Sequence, residues 1–179
     1  RYNTEYTKGA FAVARDVFAP QLIGKYISAP NQLQSIFREF KGHEFARSAF
    51  DSAWWDAYAH KCDKPLWSLI GGVNQTVAVG ADIPVLPTAA ELIDRVRKAI
   101  DQGYPRVKMK FNRHCGVQMI EQVRNTFPDL VMHIDCNSGF TLDDVEIFRT
   151  LDQLDLKMIE QPLGYDDLID HAELQRELL

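Results

Sequence analysis

The chain has 179 residues, 46% of them hydrophobic and 25% charged, enough for one ordinary domain or for a small piece plus part of a larger one. A formal net charge of −5, with no dense basic run, argues against a nucleic-acid or anionic-membrane surface, and no apolar stretch is long enough for a transmembrane helix. The three cysteines, Cys62, Cys115 and Cys136, form no CxxC and read as reduced thiols of a cytoplasmic protein.

The first 72 residues read as helices. Thr4 to Gly24 is a long amphipathic run stopped by Gly24, and Asn31 caps a short segment through Phe40. A third helix, about His43 to Cys62, carries Phe45, Ala49, Ala53 and His60 at helical spacing, and its Trp54-Trp55 pair puts at least one indole against a partner surface. Pro65 starts a short turn of helix, Leu66 to Ile70, which Gly71-Gly72 ends. From residue 73 the pattern becomes strict alternation. Strands are expected over Thr76–Ile83, Arg106–Phe111, Leu130–Asp135 and Lys157–Glu160. Helices are expected over Thr88–Gly103, Val117–Phe127 and Leu142–Leu154, the last capped by Thr141, with a fourth from Asp167 onward. Four βα units in succession imply a parallel sheet with right-handed crossovers. The fold class is therefore α/β: part of a TIM-like (β/α) barrel over 73–179, preceded by a helical block over 1–72.

The ends of the chain enter the same reading. Leu178 and Leu179 fall inside an amphipathic helix without a stop signal, and Arg1 leads almost directly into one. A closed barrel takes eight units where four are found, so the expectation is the middle of a longer protein.

The strand ends carry the chemistry. Lys108 and Lys110, Asp135 and Glu160 close three successive strands at intervals of 25 residues, and strand ends on one rim of a parallel array converge on a common mouth. Lys108 and Lys110 are two apart, so they share a face, while Val107, Met109 and Phe111 take the other parity and face the helices. Proximity of the two ammonium groups is expected to lower a lysine pKa toward the range of a base. Asp135 and Glu160 each follow an apolar strand, where a carboxylate needs a cation or several donors to stay ionised. Hard oxygen donors suit Mg²⁺, with Mn²⁺ as the alternative. Structural alternatives stand beside each: solvated lysines for the pair, and a helix N-cap for Asp135. The five histidines form no zinc pattern, and His133 reads as an interior packing residue or a donor behind the site. Gly71-Gly72 is a turn and not a phosphate loop, and Arg15, Arg38 and Arg47 read as solvated surface.

Lys108-Met109-Lys110, Asp135-Cys136-Asn137 and Glu160-Gln161-Pro162 resemble the KxK, DxN and EQP strand-end motifs of the enolase superfamily, within its muconate-lactonizing subgroup. Ala53-Trp54-Trp55-Asp56 and Lys64-Pro65 through Gly71-Gly72 are similar to the segment joining that family's α+β capping domain to its barrel. With Asp135 through Phe140, the resemblance points to o-succinylbenzoate synthases and N-succinylamino-acid racemases. It implies a small carboxylate substrate whose α-proton passes to a lysine, leaving a metal-stabilised enediolate. On this carry-over Lys110 is the base, Lys108 lowers its pKa and helps hold charge, Asp135 and Glu160 are metal ligands, and Asn137 is a polar support. Synthase (dehydration), racemase, dipeptide epimerase and muconate-type cycloisomerase all share these strand ends. The third metal carboxylate and the opposing lysine of the family would lie beyond Leu179, so the isolated chain is expected to be close to inactive. Phe111-Asn112-Arg113-His114-Cys115 departs from the family's more usual glycine-rich continuation after KxK. A different class of reading is an inactive half-barrel that pairs its open edges with another copy or another chain, and a homo-oligomer is expected.

Overall fold

The computed structural model describes residues 4–178, and the chain divides into two compact units, one ending at Thr76 and the next beginning at Val77. In the first unit α1 (Thr7–Val13) runs through a π-helical segment, Ala14–Phe18, into α2 (Ala19–Leu22). Pro20 has no N–H to offer the Asp16 carbonyl, and the helix widens just ahead of it. Helix α3 (Pro30–Phe37) begins on Pro30 with Ala29 as the cap, so Asn31 lies inside the first turn and does not cap it. In α4 (Glu44–Cys62) the buried side is one residue out from the expected one: Ala46 is buried, with Phe50 and Trp54 packed on the same core, and Phe45 is exposed. The Trp54 indole donates to the Ile27 carbonyl at 3.2 Å. Phe18 and Phe37 centre this core, 4.7 Å apart, with Phe40 and Phe50 edge-on around Phe18. Arg47 is also unlike the expectation of solvated surface. Its guanidinium is half-buried, donates to the Phe37 carbonyl at 3.0 Å and leaves Nε without a partner. After α5 (Leu66–Leu69), Gly71 turns the chain at φ 86°, and a Cβ on Gly72 would stand 2.6 Å from the Trp67 carbonyl oxygen.

The second unit is a four-stranded parallel sheet in the order β1-β2-β3-β4, with helices between successive strands. Its strands are β1 (Ala81–Ile83), β2 (Arg106–Lys110), β3 (Val131–Asp135) and β4 (Ile159–Glu160). Between them run α6 (Ala89–Asp101), α7 (Gly116–Thr126) and α8 (Val145–Asp152), with α9 (Leu168–Glu177) last. Strand β1 is shorter than the alternation from Thr76 suggests: its ladder with β2 begins only at Ala81, opposite Val107. Val77 and Val79 are exposed. Helix α6 opens with the Thr88 hydroxyl accepting from the Glu91 N–H at 3.2 Å. It closes where Gly103, at φ 85°, lets the Tyr104 N–H reach back to Ala99. A capping box of Thr141 and Asp144 starts the 3₁₀ turn Leu142–Asp144 that leads into α8. The core lies between sheet and helices: Val107, Met109, Met132 and Ile134 from the strands against Val96, Ile120, Val123, Phe148 and Leu151. Among the described residues no helix is long and apolar enough to cross a membrane.

Candidate active site

Period-two alternation builds the site. With Val107 and Met109 fully buried toward the helices, Lys108 and Lys110 point the other way, and the ladder sets Lys108 beside Asp82 and His133, and Lys110 beside Asp135. Glu160 is the partner of Asp135 on β4. The four predicted side chains therefore sit at adjoining positions of one sheet.

Asp135 is the centre. Its side chain is 2% exposed, against 20% for Lys110, 25% for Lys108 and 34% for Glu160. Lys110 Nζ donates to Asp135 Oδ2 at 2.6 Å and to Asn137 Oδ1 at 2.8 Å. Lys108 Nζ lies 3.3 Å from the same Asp135 oxygen, 3.4 Å from Asp82 Oδ1 and 3.7 Å from Glu160 Oε2. The other Asp135 oxygen accepts from the Asn137 N–H at 3.0 Å. Asp135 therefore does not cap the following helix, a role that Thr141 fills. His133 stands 3.8 Å from Glu160, and burial holds its imidazole below the usual histidine pKa against the pull of that carboxylate.

Burial opposes the charge on Lys108, yet the hydrogen bond to Asp135 and the charges of Asp82 and Glu160 prevail, so its pKa is raised. Burial likewise favours neutral Asp135, but the bonds from Lys110, the Asn137 backbone and Lys108 hold its carboxyl below the ordinary range. Asp82 is the residue that the sequence reading did not single out. Its signal was present, because flanking Ala81 and Ile83 in a strand ending at Pro84 put Asp82 on the inward parity.

The donors suit a hard cation in kind. Carboxylates from β3 and β4 already share one positive group, the Lys108 ammonium, and oxygen donors of this type suit a small divalent ion. Among the described residues no three His, Cys, Asp or Glu side chains are arranged to hold a metal.

A parallel βα array with helices between its strands, and a lysine pair facing carboxylates at the carboxyl ends of those strands, is the architecture of part of a (β/α) barrel. Residues 91–178 match the enolase C-terminal domain-like family, and residues 3–71 match the N-terminal domain of the mandelate racemase / muconate lactonizing enzyme family. The chain belongs to this family of the enolase superfamily. Its relatives include an N-succinylamino acid racemase of Thermus thermophilus, 35% identical over 99% of this chain and 48% of that protein. An o-succinylbenzoate synthase of Geobacillus stearothermophilus is 36% identical over 97% of this chain and 46% of that protein. A solved structure of an enolase-superfamily protein from Listeria innocua superposes with a TM-score of 0.94 at 36% identity, covering 99% of this chain and 48% of that one. The chain thus spans about half the length of the curated relatives it matches.

Proposed function

We propose that this chain carries the proton-abstracting half of an Mg²⁺-dependent enolase-superfamily site, and that the whole enzyme is an o-succinylbenzoate synthase acting on a small carboxylate. The carrying observation is the position of Lys110, whose Nζ is held between Asp135 Oδ2 at 2.6 Å and Asn137 Oδ1 at 2.8 Å. Two acceptors fix the nitrogen at the strand end, where Lys110 takes the α-proton of the substrate. Lys108, kept cationic by its three carboxylate neighbours, offers charge to the substrate's carboxylate and does not compete as a base. Asp135 and Glu160 would hold the Mg²⁺, with Mn²⁺ as the alternative, and the bound ion supplies positive charge where proton loss leaves an enediolate. In the dehydration the proton on Lys110 is then returned to the departing hydroxyl, which leaves as water.

The Thermus relative, 35% identical over 177 residues, favours a second reading as N-succinylamino-acid racemase. Lys110 then abstracts from one face and an opposing lysine returns the proton from the other.

The test is dehydration of the o-succinylbenzoate precursor, beside solvent deuterium incorporation into N-succinyl amino acids, by the intact protein with Mg²⁺. Lys110→Ala is expected to slow either reaction on the order of 10²–10⁴-fold, and retained activity in that variant removes Lys110 as the base. Deuterium exchange without dehydration selects the racemase.

A further inference from the structure

The departure noted after β2, Phe111 through Cys115, finds a use in the fold. Arg113 sends Nη1 and Nη2 to the two carboxylate oxygens of Asp144, both at 2.6 Å, the parallel fork of a bidentate pair. Its Cζ also lies 5.1 Å from the centroid of Phe140, over the ring. Phe140 is in turn stacked on Phe111 at 5.5 Å and 14°, and meets Phe148 edge-on at 5.3 Å. Arg113 therefore ties the loop after β2 to both ends of the segment between Phe140 and Asp144.

That segment continues directly from the site. Asn137 and Ser138 are consecutive residues at φ 45° and 59°, a left-handed pair that costs free energy for any residue with a Cβ. The pair persists because its surroundings hold it. Ser138 N–H donates to the Gln161 carbonyl at 2.8 Å and Phe140 N–H to the Pro162 carbonyl at 3.2 Å, while Phe140 itself is buried. Asn137 is the residue whose Oδ1 accepts from Lys110 at 2.8 Å. A shift of Phe140 would be passed through two residues to that oxygen.

We propose that Arg113 is a positioning residue: by gripping Asp144 and covering Phe140 it holds the Asn137-Ser138 turn in its left-handed form, and so keeps the Asn137 oxygen on Lys110. Its relevance to turnover rests on the reading of Lys110 as the base. The Arg113 side chain is 55% exposed and that of Asp144 11%, and a bidentate pair of this kind can contribute to stability as well as to geometry, so the exchange and the Asn137 shift decide the role and Tm is followed beside them.

The experiment compares Arg113→Met and Arg113→Lys with the native protein, following amide hydrogen exchange at Ser138 and Phe140, the side-chain ¹⁵N shift of Asn137, and kcat against KM. In Arg113→Met both amides are expected to exchange faster, the Asn137 signal to move, and kcat to fall about 10- to 100-fold with KM unchanged and the protein still folded at the assay temperature. Arg113→Lys keeps the charge without the fork and is expected to fall between the two. Native exchange rates and a native Asn137 shift in Arg113→Met overturn the proposal, and so does fast exchange with native kcat. Absence of proton abstraction in the unsubstituted protein removes the proposed function, while exchange and the Asn137 shift still decide whether Arg113 holds the turn.

Discussion

Asp135 and Lys108 are opposite ends of one interaction, and each titrates away from its ordinary range. For Asp135, burial raises the pKa, but the bonds from Lys110, Asn137 and Lys108 lower it further than burial raises it. A depressed native pKa contributes stability that is present above the unfolded value, ~3.9, and is lost as pH falls through the native one. For Lys108 the sign is reversed. Its raised pKa contributes stability that is complete below ~10.4 and is lost as pH rises through the native value. Asp135→Asn is therefore expected to be less stable at neutral pH, with the deficit shrinking below about pH 4. Denaturant unfolding between pH 7 and 3 checks this, and a deficit constant over that range would refute it. The shared face of Lys108 and Lys110 was legible because strand parity is set by the backbone. Arg47 was not, because whether a helical arginine is solvated depends on a carbonyl ten residues away in sequence, Phe37.

Among the elements, the ends of β3 and β4 opposite the lysine rim are gathered by one side chain. Arg124, from the last turn of α7, donates to the carbonyls of Leu154, Pro128, Leu130 and Asp155 at 2.8–2.9 Å. Those acceptors lie on the segments leading into β3 and β4, so the guanidinium satisfies polar groups where the chain cannot form a ladder. Arg124→Met leaves them without a donor and is expected to cost on the order of 2–3 kcal/mol, read as a lower denaturation midpoint at unchanged m. A loss under half a kcal/mol would show that water replaces the guanidinium. Helix positions in the second unit were readable from local signals, Thr88 and Gly103 around α6 and Thr141 ahead of α8. The length of β1 was not, since a strand extends only as far as its neighbour supplies partners. The buried stripe of α4 also shifted by one residue, because a helix with alanine and aromatics on several sides has no single dominant apolar face.

For the whole molecule, the sheet is open. Among the described residues β1 and β4 each pair on one side only, and Met158 beside β4 is exposed with Tyr165, Leu168 and Ile169 beyond it. Unpaired parallel edges invite further strands. The chain is accordingly expected to self-associate, with a sedimentation coefficient that rises with protein concentration. A concentration-independent monomer would show that the edges are protected.

Local physics carried most of the reading. Alternation placed Lys108, Lys110, Asp135 and Glu160 at the strand ends, caps and glycines marked the helices around them, and the count of βα units pointed to a barrel arc. These features follow from backbone geometry within a few residues of each site. Tertiary structure decided which charges meet: Asp82 joining Lys108 across β1 and β2, three carboxylates raising the Lys108 pKa, and Arg113 reaching Asp144. Such contacts join residues tens of positions apart, and their energies depend on distance and burial, which no single segment of chain determines.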